Sequence, residues 1–105
     1  MIHVNVYRVH PDKVEQLKAW FAEGESRADE VRETFVREGV RHEAGYLLET
    51  SDGPLLVYAM ELEDYDAALA EFLASEAPID VQHKKIMPQL TNGQLELTTV
   101  LDIRL

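Results

Sequence analysis

The chain has 105 residues, the size of one ordinary domain, and its 20 acidic against 10 basic residues give a net charge of −10. Phosphate binding requires clustered cations, so this charge argues against nucleic acids and anionic membranes as partners. The absence of cysteine excludes disulfides, thiolate nucleophiles and zinc sites built on sulfur. We therefore expect a single domain over residues 1–105.

The N-terminal segment MIHVNVYRVH alternates in polarity and has neither a basic leader nor a long apolar run. This pattern predicts neither a signal peptide nor a membrane span, so a cytoplasmic protein is the default expectation. The acidity fits a salt-rich cytoplasm and also fits an ordinary solvated surface, which is the simpler explanation.

The first predicted element is a strand over residues 2–9, because apolar and polar residues alternate there. Ile2, Val4 and Val6 share one face of this strand, and its other face is polar or aromatic. A helix is predicted to follow from Pro11, since proline is favoured at the first helical position.

The predicted helix is long. Its apolar residues recur at spacings of three and four from Val14 to Phe35. This stripe continues across Gly24, so one long helix with a kink at Gly24 fits the pattern better than two helices. Gly39 is predicted to end the helix, because glycine is favoured after the last helical turn.

Two strands are predicted over about residues 40–49 and 55–63, joined by the turn TSDGP. The turn allows a two-residue Asp-Gly loop or a three-residue loop with Gly53 in the left-handed position. The three-residue loop is preferred because it collects an almost continuous apolar face. The cross-strand pairs that it predicts are Leu48 with Leu56, Tyr46 with Tyr58, Ala44 with Met60 and His42 with Leu62.

Two further helices and a final strand complete the predicted fold. Asp64 caps the first of these helices, and Pro78 begins the second, whose apolar stripe includes His83. Pro88 is predicted to disrupt the end of the second helix. Residues 94–105 alternate in polarity and are predicted to form the last strand. The residues of that strand predicted to face inward are Leu95, Leu97, Leu101, Ile103 and Leu105.

The predicted order is strand, helix, strand, strand, helix, short helix, strand, which is the ferredoxin-like split βαβ arrangement of an α+β fold. Helices should cover one face of a four-stranded antiparallel sheet with strand order 4-1-3-2. The opposite face would leave more apolar area exposed than a monomer of this size tolerates, so we expect a homodimer through that face. The residues assigned to it are Tyr7, Val9, Leu47, Leu55, Val57, Ala59 and Val100.

Three stretches, REGVRHEAGYLLE, LLVYAMELED and APIDVQHKKIM, resemble the DUF6176 family of uncharacterised bacterial and archaeal proteins. The resemblance extends over nearly the whole chain. It implies a dimeric α+β barrel, the fold of antibiotic-biosynthesis monooxygenases, in which two four-stranded sheets pack face to face. His42, Glu43, Asp80 and His83 occupy the positions of the family pattern, and the resemblance implies no activity.

Asp80 and His83 are three residues apart and therefore share one face of the predicted helix. The functional interpretation is a general acid–base pair in which the carboxylate fixes the imidazole tautomer, with His42 or Tyr58 completing a pocket. The structural interpretation, which we prefer, is that Asp80 accepts backbone N–H bonds in the first helical turn. His83 would then fill a half-buried gap and bond a nearby carbonyl. Three strand spacings of about 4.8 Å place His42 roughly 14 Å from this helix, so its participation would require a second subunit.

Trp20 falls outside the helix stripe, so it is predicted to be exposed or to contact another subunit. The four histidines lack close metal-ligand spacing, and no phosphate-binding loop is present, so neither a metal nor a cofactor is expected. Two function classes remain. One is a non-catalytic homodimeric module that binds a metabolite or a protein. The other is a cofactor-independent, monooxygenase-like enzyme acting on a small hydrophobic or aromatic compound.

Overall fold

The computed structural model describes all 105 residues and contains four strands, four α-helices and a 3-10 turn at Pro11–Lys13. The strands are β1 (Ile2–Val9), β2 (Val40–Thr50), β3 (Gly53–Leu62) and β4 (Thr91–Leu95). The helices are α1 (Val14–Ser26), α2 (Ala28–Glu38), α3 (Tyr65–Ala74) and α4 (Pro78–Leu90). All strand pairs are antiparallel, in the order β2-β3-β1-β4. The predicted ferredoxin-like α+β arrangement and its strand order are confirmed.

The long helix predicted after β1 is divided into α1 and α2. The break lies at Arg27 and not at Gly24, because the Arg27 backbone leaves the helical range at φ −110° and ψ 33°. The Arg27 N–H donates to the carbonyls of both Glu23 and Gly24. Its guanidinium donates to Glu30 and, across to α4, to Gln82, at 2.6 Å each. The bond to Gln82 connects the break to α4. The apolar periodicity of the sequence could not predict this contact.

The β2–β3 hairpin turns through the two residues 51 and 52, between the paired residues Thr50 and Gly53. The Thr50 hydroxyl closes this turn, donating to the Gly53 carbonyl at 2.7 Å and accepting from the Asp52 N–H at 3.1 Å. Gly53 has φ 115°, a conformation that glycine adopts without strain. Both predicted loops are therefore wrong, and the register differs by one residue from the preferred one. The observed pairs are Leu48 with Leu55, Tyr46 with Val57, Ala44 with Ala59 and His42 with Glu61.

The faces of the sheet follow from these pairs. Tyr7, Leu56 and Leu47 form one row across β1, β3 and β2, and this row packs under the helices. The assignment of Tyr7, Val9 and Leu47 to the uncovered face is therefore wrong, whereas Leu55, Val57 and Ala59 do lie there. We name the uncovered side the open face. Its apolar residues are Ile2, Val4, Val6, Ala44, Tyr46, Leu48, Leu55, Val57, Ala59 and Leu95.

Two buried clusters fill the space between the sheet and the helices. The first lies under α1 and the end of α4 and contains Val9, Leu17, Leu56 and Leu90. The second lies under α3 and contains Val40, Leu62 and Ala68. Burial of these side chains supplies the main driving force that holds the helices on one face of the sheet.

The ends of α3 and α4 are fixed by specific contacts. Asp64 caps α3 as predicted, since its carboxylate accepts the Ala67 N–H at 3.0 Å. α4 begins at Pro78 as predicted but continues through Pro88 to the buried Leu90, so the predicted disruption at Pro88 is wrong. No helix combines the length and the apolar character that crossing a membrane requires.

Lys84 of α4 binds the end of α3. Its ammonium donates to the carbonyls of Phe72, Leu73 and Ser75 at 3.1, 3.0 and 2.8 Å. Carbonyls in the last helical turn have no partner within the helix, and a cation there also complements the helix dipole. Lys84 thereby fixes α4 relative to α3 and positions the residues that α4 carries.

The last strand is much shorter than predicted. β4 ends at Leu95, and residues 96–105 form no helix or strand and are exposed throughout. Val100 is 92% exposed and Ile103 81% exposed. All the predicted inward positions of this strand are therefore wrong for this subunit, because Leu95 pairs with Val6 on the open face and the residues beyond it lie outside the sheet. Val100, which was assigned to the uncovered face of the sheet, also lies outside the sheet.

Candidate functional site

His83 lies in an aromatic enclosure between the helices and the sheet. The ring centroids of Trp20, Phe21, Tyr58 and Phe72 are 5.9, 6.4, 6.4 and 5.8 Å from that of the imidazole. The indole N–H of Trp20 donates to Nδ1 of His83 at 2.9 Å. Trp20 was predicted to be exposed or to contact another subunit, but it is half-buried against α4. It is thus part of the surroundings of His83 within one chain.

The bond from Trp20 determines the tautomer of His83. Because Nδ1 accepts the hydrogen bond from the indole N–H, the neutral ring carries its own proton on Nε2. Burial lowers the pKa of His83, and the negative charge of Asp80 offsets only part of this effect. His83 is therefore held as a neutral imidazole that can donate through Nε2. The indole, and not the carboxylate considered from the sequence, fixes its tautomer.

Asp80 is more deeply buried than its sequence position suggests. It is 6% exposed, and its Oδ2 atom has no hydrogen-bond partner. The predicted contact with backbone N–H groups of the first turn is not observed, and no side chain caps the N-terminus of α4. A buried polar atom without a partner costs about 1–3 kcal/mol, and more if charged. Asp80 is therefore a candidate contact for a bound group that donates hydrogen bonds.

Two glutamates and a tyrosine share this layer with Asp80. Burial raises the pKa of Glu38 to about 7, and the charges of Asp80 and Glu43 add to the rise. Burial also raises the pKa of Glu43, an effect that the adjacent Tyr58 hydroxyl opposes and Asp80 increases. Burial and then Glu43 raise the pKa of Tyr58 well above its ordinary value. We name Glu38, Glu43, Tyr58, Asp80 and His83 the polar cluster.

His42 lies outside the polar cluster. It is exposed and pairs with Glu61 on the open face, so the sheet separates it from His83. Of the four residues singled out in the sequence, Tyr58, Asp80 and His83 come together within one subunit and His42 does not. His42 can approach a site only across a subunit interface.

Sequence reasoning did not select Glu38, Glu43 or Trp20 as site residues. Glu43 follows His42 directly, so the choice of strand face decides which of the two points toward the helices. Trp20 is three residues after Leu17, and a wider apolar stripe would have included it. Glu38 carries no signal of its own, because only the packing of α2 against α4 and β2 brings it near Asp80.

A surface groove of about 360 Å³ opens next to Glu38, between the end of α2 and the turn that joins β3 to α3. Its lining includes Phe35, Val40 and Asp64. Glu38 borders this groove and also interacts with the interior carboxylates, so it links the polar cluster to solvent. No group of three or more His, Asp or Glu side chains is arranged to hold a metal ion.

A family described as being of unknown function, DUF6176, matches residues 2–104. The chain belongs to this family. No curated protein matches the chain. The solved structure of Rv0793 from Mycobacterium tuberculosis is similar, with a TM-score of 0.55 and 17% identity over 97% of this chain and 94% of that one. At this identity the similarity shows a shared fold alone.

The raised pKa of Glu38 predicts that mild acidification stabilises the protein through this group. The pKa is about 7 in the folded chain against an ordinary 4.5. Between these values the folded chain holds a proton that the unfolded chain has released, so this contribution to the unfolding free energy falls as pH rises. We expect Glu38→Gln to raise the unfolding free energy by ~1 kcal/mol at about pH 7.5, an effect that stays this small because half-exposure screens the charge. At about pH 4.5 the substitution should change the unfolding free energy little, because the folded carboxyl is already protonated there.

Urea unfolding of the parent and variant at both pH values measures this difference, and the opposite contribution of His83 cancels in the comparison. Glu49→Gln, at an exposed position of β2, is the matched control and should change stability equally at both pH values. An equal effect of Glu38→Gln at both pH values would contradict the prediction.

Proposed function

We propose that this chain forms a homodimeric α+β barrel that binds a small cationic metabolite at the polar cluster and does not itself catalyse a reaction. The observation that carries the proposal is Oδ2 of Asp80, which is buried without a partner beside two further carboxyl groups. A bound ammonium or guanidinium group would supply the missing donors and relieve the repulsion between the carboxylates.

The surroundings of the polar cluster support a cationic ligand. The positive charge of Arg37 partly offsets the rise in the pKa of Glu38, and no basic group lowers the pKa of Glu43. The cluster therefore has little internal positive charge, and a ligand can provide it. The aromatic rings around His83 suit the apolar part of such a ligand, and aromatic faces attract cations.

The state of His83 supports binding over catalysis. A general base needs a free lone pair directed at the proton it removes, and the Trp20 indole occupies the lone pair on Nδ1. Nε2 then carries a proton and acts as a donor. A monooxygenase-like reaction on an aromatic compound is the second candidate, favoured by the aromatic enclosure, and would require Trp20 to release His83.

The open face supports the homodimer. Ile2 is 69% and Tyr46 61% exposed there, and exposed apolar patches of this kind are typical of interaction surfaces. Four strands spaced about 4.8 Å apart, with a mean length of about 29 Å, present roughly 550 Å² in projection. This approaches the roughly 800 Å² per partner of a standard interface, so two open faces packed together suit a stable dimer.

The ligand proposal is tested by thermal unfolding with benzylamine and 1,4-diaminobutane as cationic probes and benzoate as the anionic control. An amine present at about 100 times its dissociation constant should stabilise the protein by about 2.7 kcal/mol. Asp80→Asn should fold and should lose most of this stabilisation, because Asn cannot pair with the cation. Asp66→Asn, at an exposed position of α3, should retain it.

Stabilisation by benzoate equal to that by the amines would overturn the proposed ligand class. The proposal also fails if no amine stabilises the parent protein, or if Asp80→Asn responds as the parent does.

A further inference from the structure

The polar cluster holds more carboxyl groups than one ligand cation can pair with. Burial, and then the charges of Asp80 and Glu43, raise the pKa of Glu38, so these three groups lie close enough to repel one another. Arg37 of α2 is the only cation that acts on Glu38, and Glu71 of α3 adds further repulsion. A single ammonium group at Asp80 would therefore leave the Glu38 carboxylate without a partner from the ligand.

Glu38 lies between the interior of the polar cluster and the surface groove. It is half-buried and borders the groove, whereas Asp80 is 6% exposed and its Oδ2 atom has no hydrogen-bond partner. The two carboxyl groups thus provide one acceptor inside the molecule and a second at its surface. A ligand that contacts both is elongated and carries a hydrogen-bond donor at each end.

The lining of the groove suits an alkyl chain that ends in a cation. Phe35, Val36 and Val40 supply apolar surface, and Val36 is 83% exposed there. The only cation in the lining is Arg41, which donates to Glu63 at 2.9 Å. The lining therefore offers no free cation to its other two acidic groups. Methylene groups gain free energy when they cover such an apolar surface, as the stem of a lysine side chain does.

The end of α2 adds to the negative charge beside the groove. α2 ends at Glu38, and the backbone N–H of its cap, Gly39, donates to the Phe35 carbonyl. The other carbonyls of a last helical turn have no partner within the helix, and they give that end a partial negative charge. A cation beside Glu38 is therefore favoured by the helix dipole as well as by the carboxylate.

We infer that the ligand of the polar cluster is a linear diamine or polyamine, with one ammonium group at Asp80 and a second at Glu38 beside the groove. The methylene chain between these groups contacts the apolar lining of the groove. The inference rests on the cationic ligand of the proposed function and specifies its chemical class. A monoamine would occupy the site at Asp80 alone.

Calorimetric titration at about pH 8 with 1,4-diaminobutane and 4-amino-1-butanol tests the second charge. The two ligands are matched in length, and both keep their ammonium groups at this pH because the pKa of an alkylammonium group is about 10.4. We expect the diamine to bind about 10-fold more tightly, since its second ammonium forms a charge-assisted hydrogen bond. Equal affinities would overturn the inference and leave the cationic ligand standing. Binding of neither ligand also overturns it, and if benzylamine fails as well, the proposed function fails too.

Glu38→Gln tests where the second ammonium binds. It should reduce the preference for the diamine from about 10-fold to about twofold or less, because an amide cannot pair with the cation. Glu49→Gln removes the same charge at an exposed position of β2 and should retain the full preference. An equal loss in both variants would show that the net charge of the protein attracts the diamine, and it would overturn the inference. An unchanged preference in Glu38→Gln would overturn it as well.

The pH dependence of the parent protein gives a second test that needs no variant. The pKa of Glu38 is about 7, so this carboxylate is neutralised on acidification while the ligands stay charged. The preference for the diamine should therefore fall from about 10-fold at pH ~8 to about twofold or less at pH ~5.5. Protonation of Glu43, whose pKa burial also raises, affects both ligands alike because they share the first ammonium. A preference that is the same at both pH values would contradict the binding of an ammonium at Glu38.

Discussion

We expect Val57→Asp to dissociate the proposed homodimer into monomers of 12.0 kDa. Val57 lies at the centre of the open face, where it pairs with Val6 on one side and Tyr46 on the other. An unpaired carboxylate in a dry interface costs on the order of 3–5 kcal/mol, which weakens a dimer by about 150-fold or more. Light scattering across a dilution series measures the change.

Ser51→Asp is the matched control for that change, because it adds the same carboxylate in the exposed hairpin turn at the end of the sheet. It should leave both the mass and the melting temperature unaltered. If Val57→Asp also retains the dimer and the melting temperature, the open face is not the interface. If the parent protein is itself a monomer, the homodimer proposal fails before the variant is made.

His83→Ala should lower the unfolding free energy by about 2–4 kcal/mol. The substitution empties an enclosure formed by four aromatic rings and leaves the Trp20 indole N–H without its acceptor. Cavity formation and an unsatisfied donor both contribute to this loss. Urea unfolding measures the stability, and Lys85→Ala, at an exposed position of the same helix, should change it by far less.

Trp20→Phe separates the two contributions, since it keeps an aromatic ring and removes the donor. We expect it to lower the unfolding free energy by less than His83→Ala does. It should also raise the pKa of His83, because a proton on Nδ1 no longer meets the indole N–H that now points at this atom. An NMR titration of the imidazole measures that pKa. A His83→Ala protein of unchanged stability that no longer responds to amines would show that His83 binds the ligand and contributes little to the fold.

The sequence predicted those elements whose signals are local. The ferredoxin-like order, the cap at Asp64 and the start of α4 at Pro78 follow from residue periodicity and from helix-end preferences, which act over a few neighbouring positions. The strand order was predicted because this arrangement of elements favours one sheet topology. The family assignment also followed from contiguous stretches of sequence.

The candidate site was only partly predictable. Tyr58, Asp80 and His83 were selected, but their interactions depend on Trp20, Glu38 and other residues distant in the chain. Helix spacing placed Asp80 and His83 on one side of α4, yet it could not show that an indole from α1 binds the imidazole. That contact depends on how α1 and α4 pack, which no local pattern encodes.

The tertiary structure alone decided the hairpin register and the use of each sheet face. β3 is apolar on both faces, so alternation could not distinguish registers one residue apart, and the Thr50 hydroxyl settled the turn. The same one-residue choice turns Glu43 toward the helices and His42 toward the open face. The sequence by itself determined which segments form helices and strands, because those preferences are local. The three-dimensional packing determined which side chains meet, because the energies of burial and pairing arise between segments far apart in the chain.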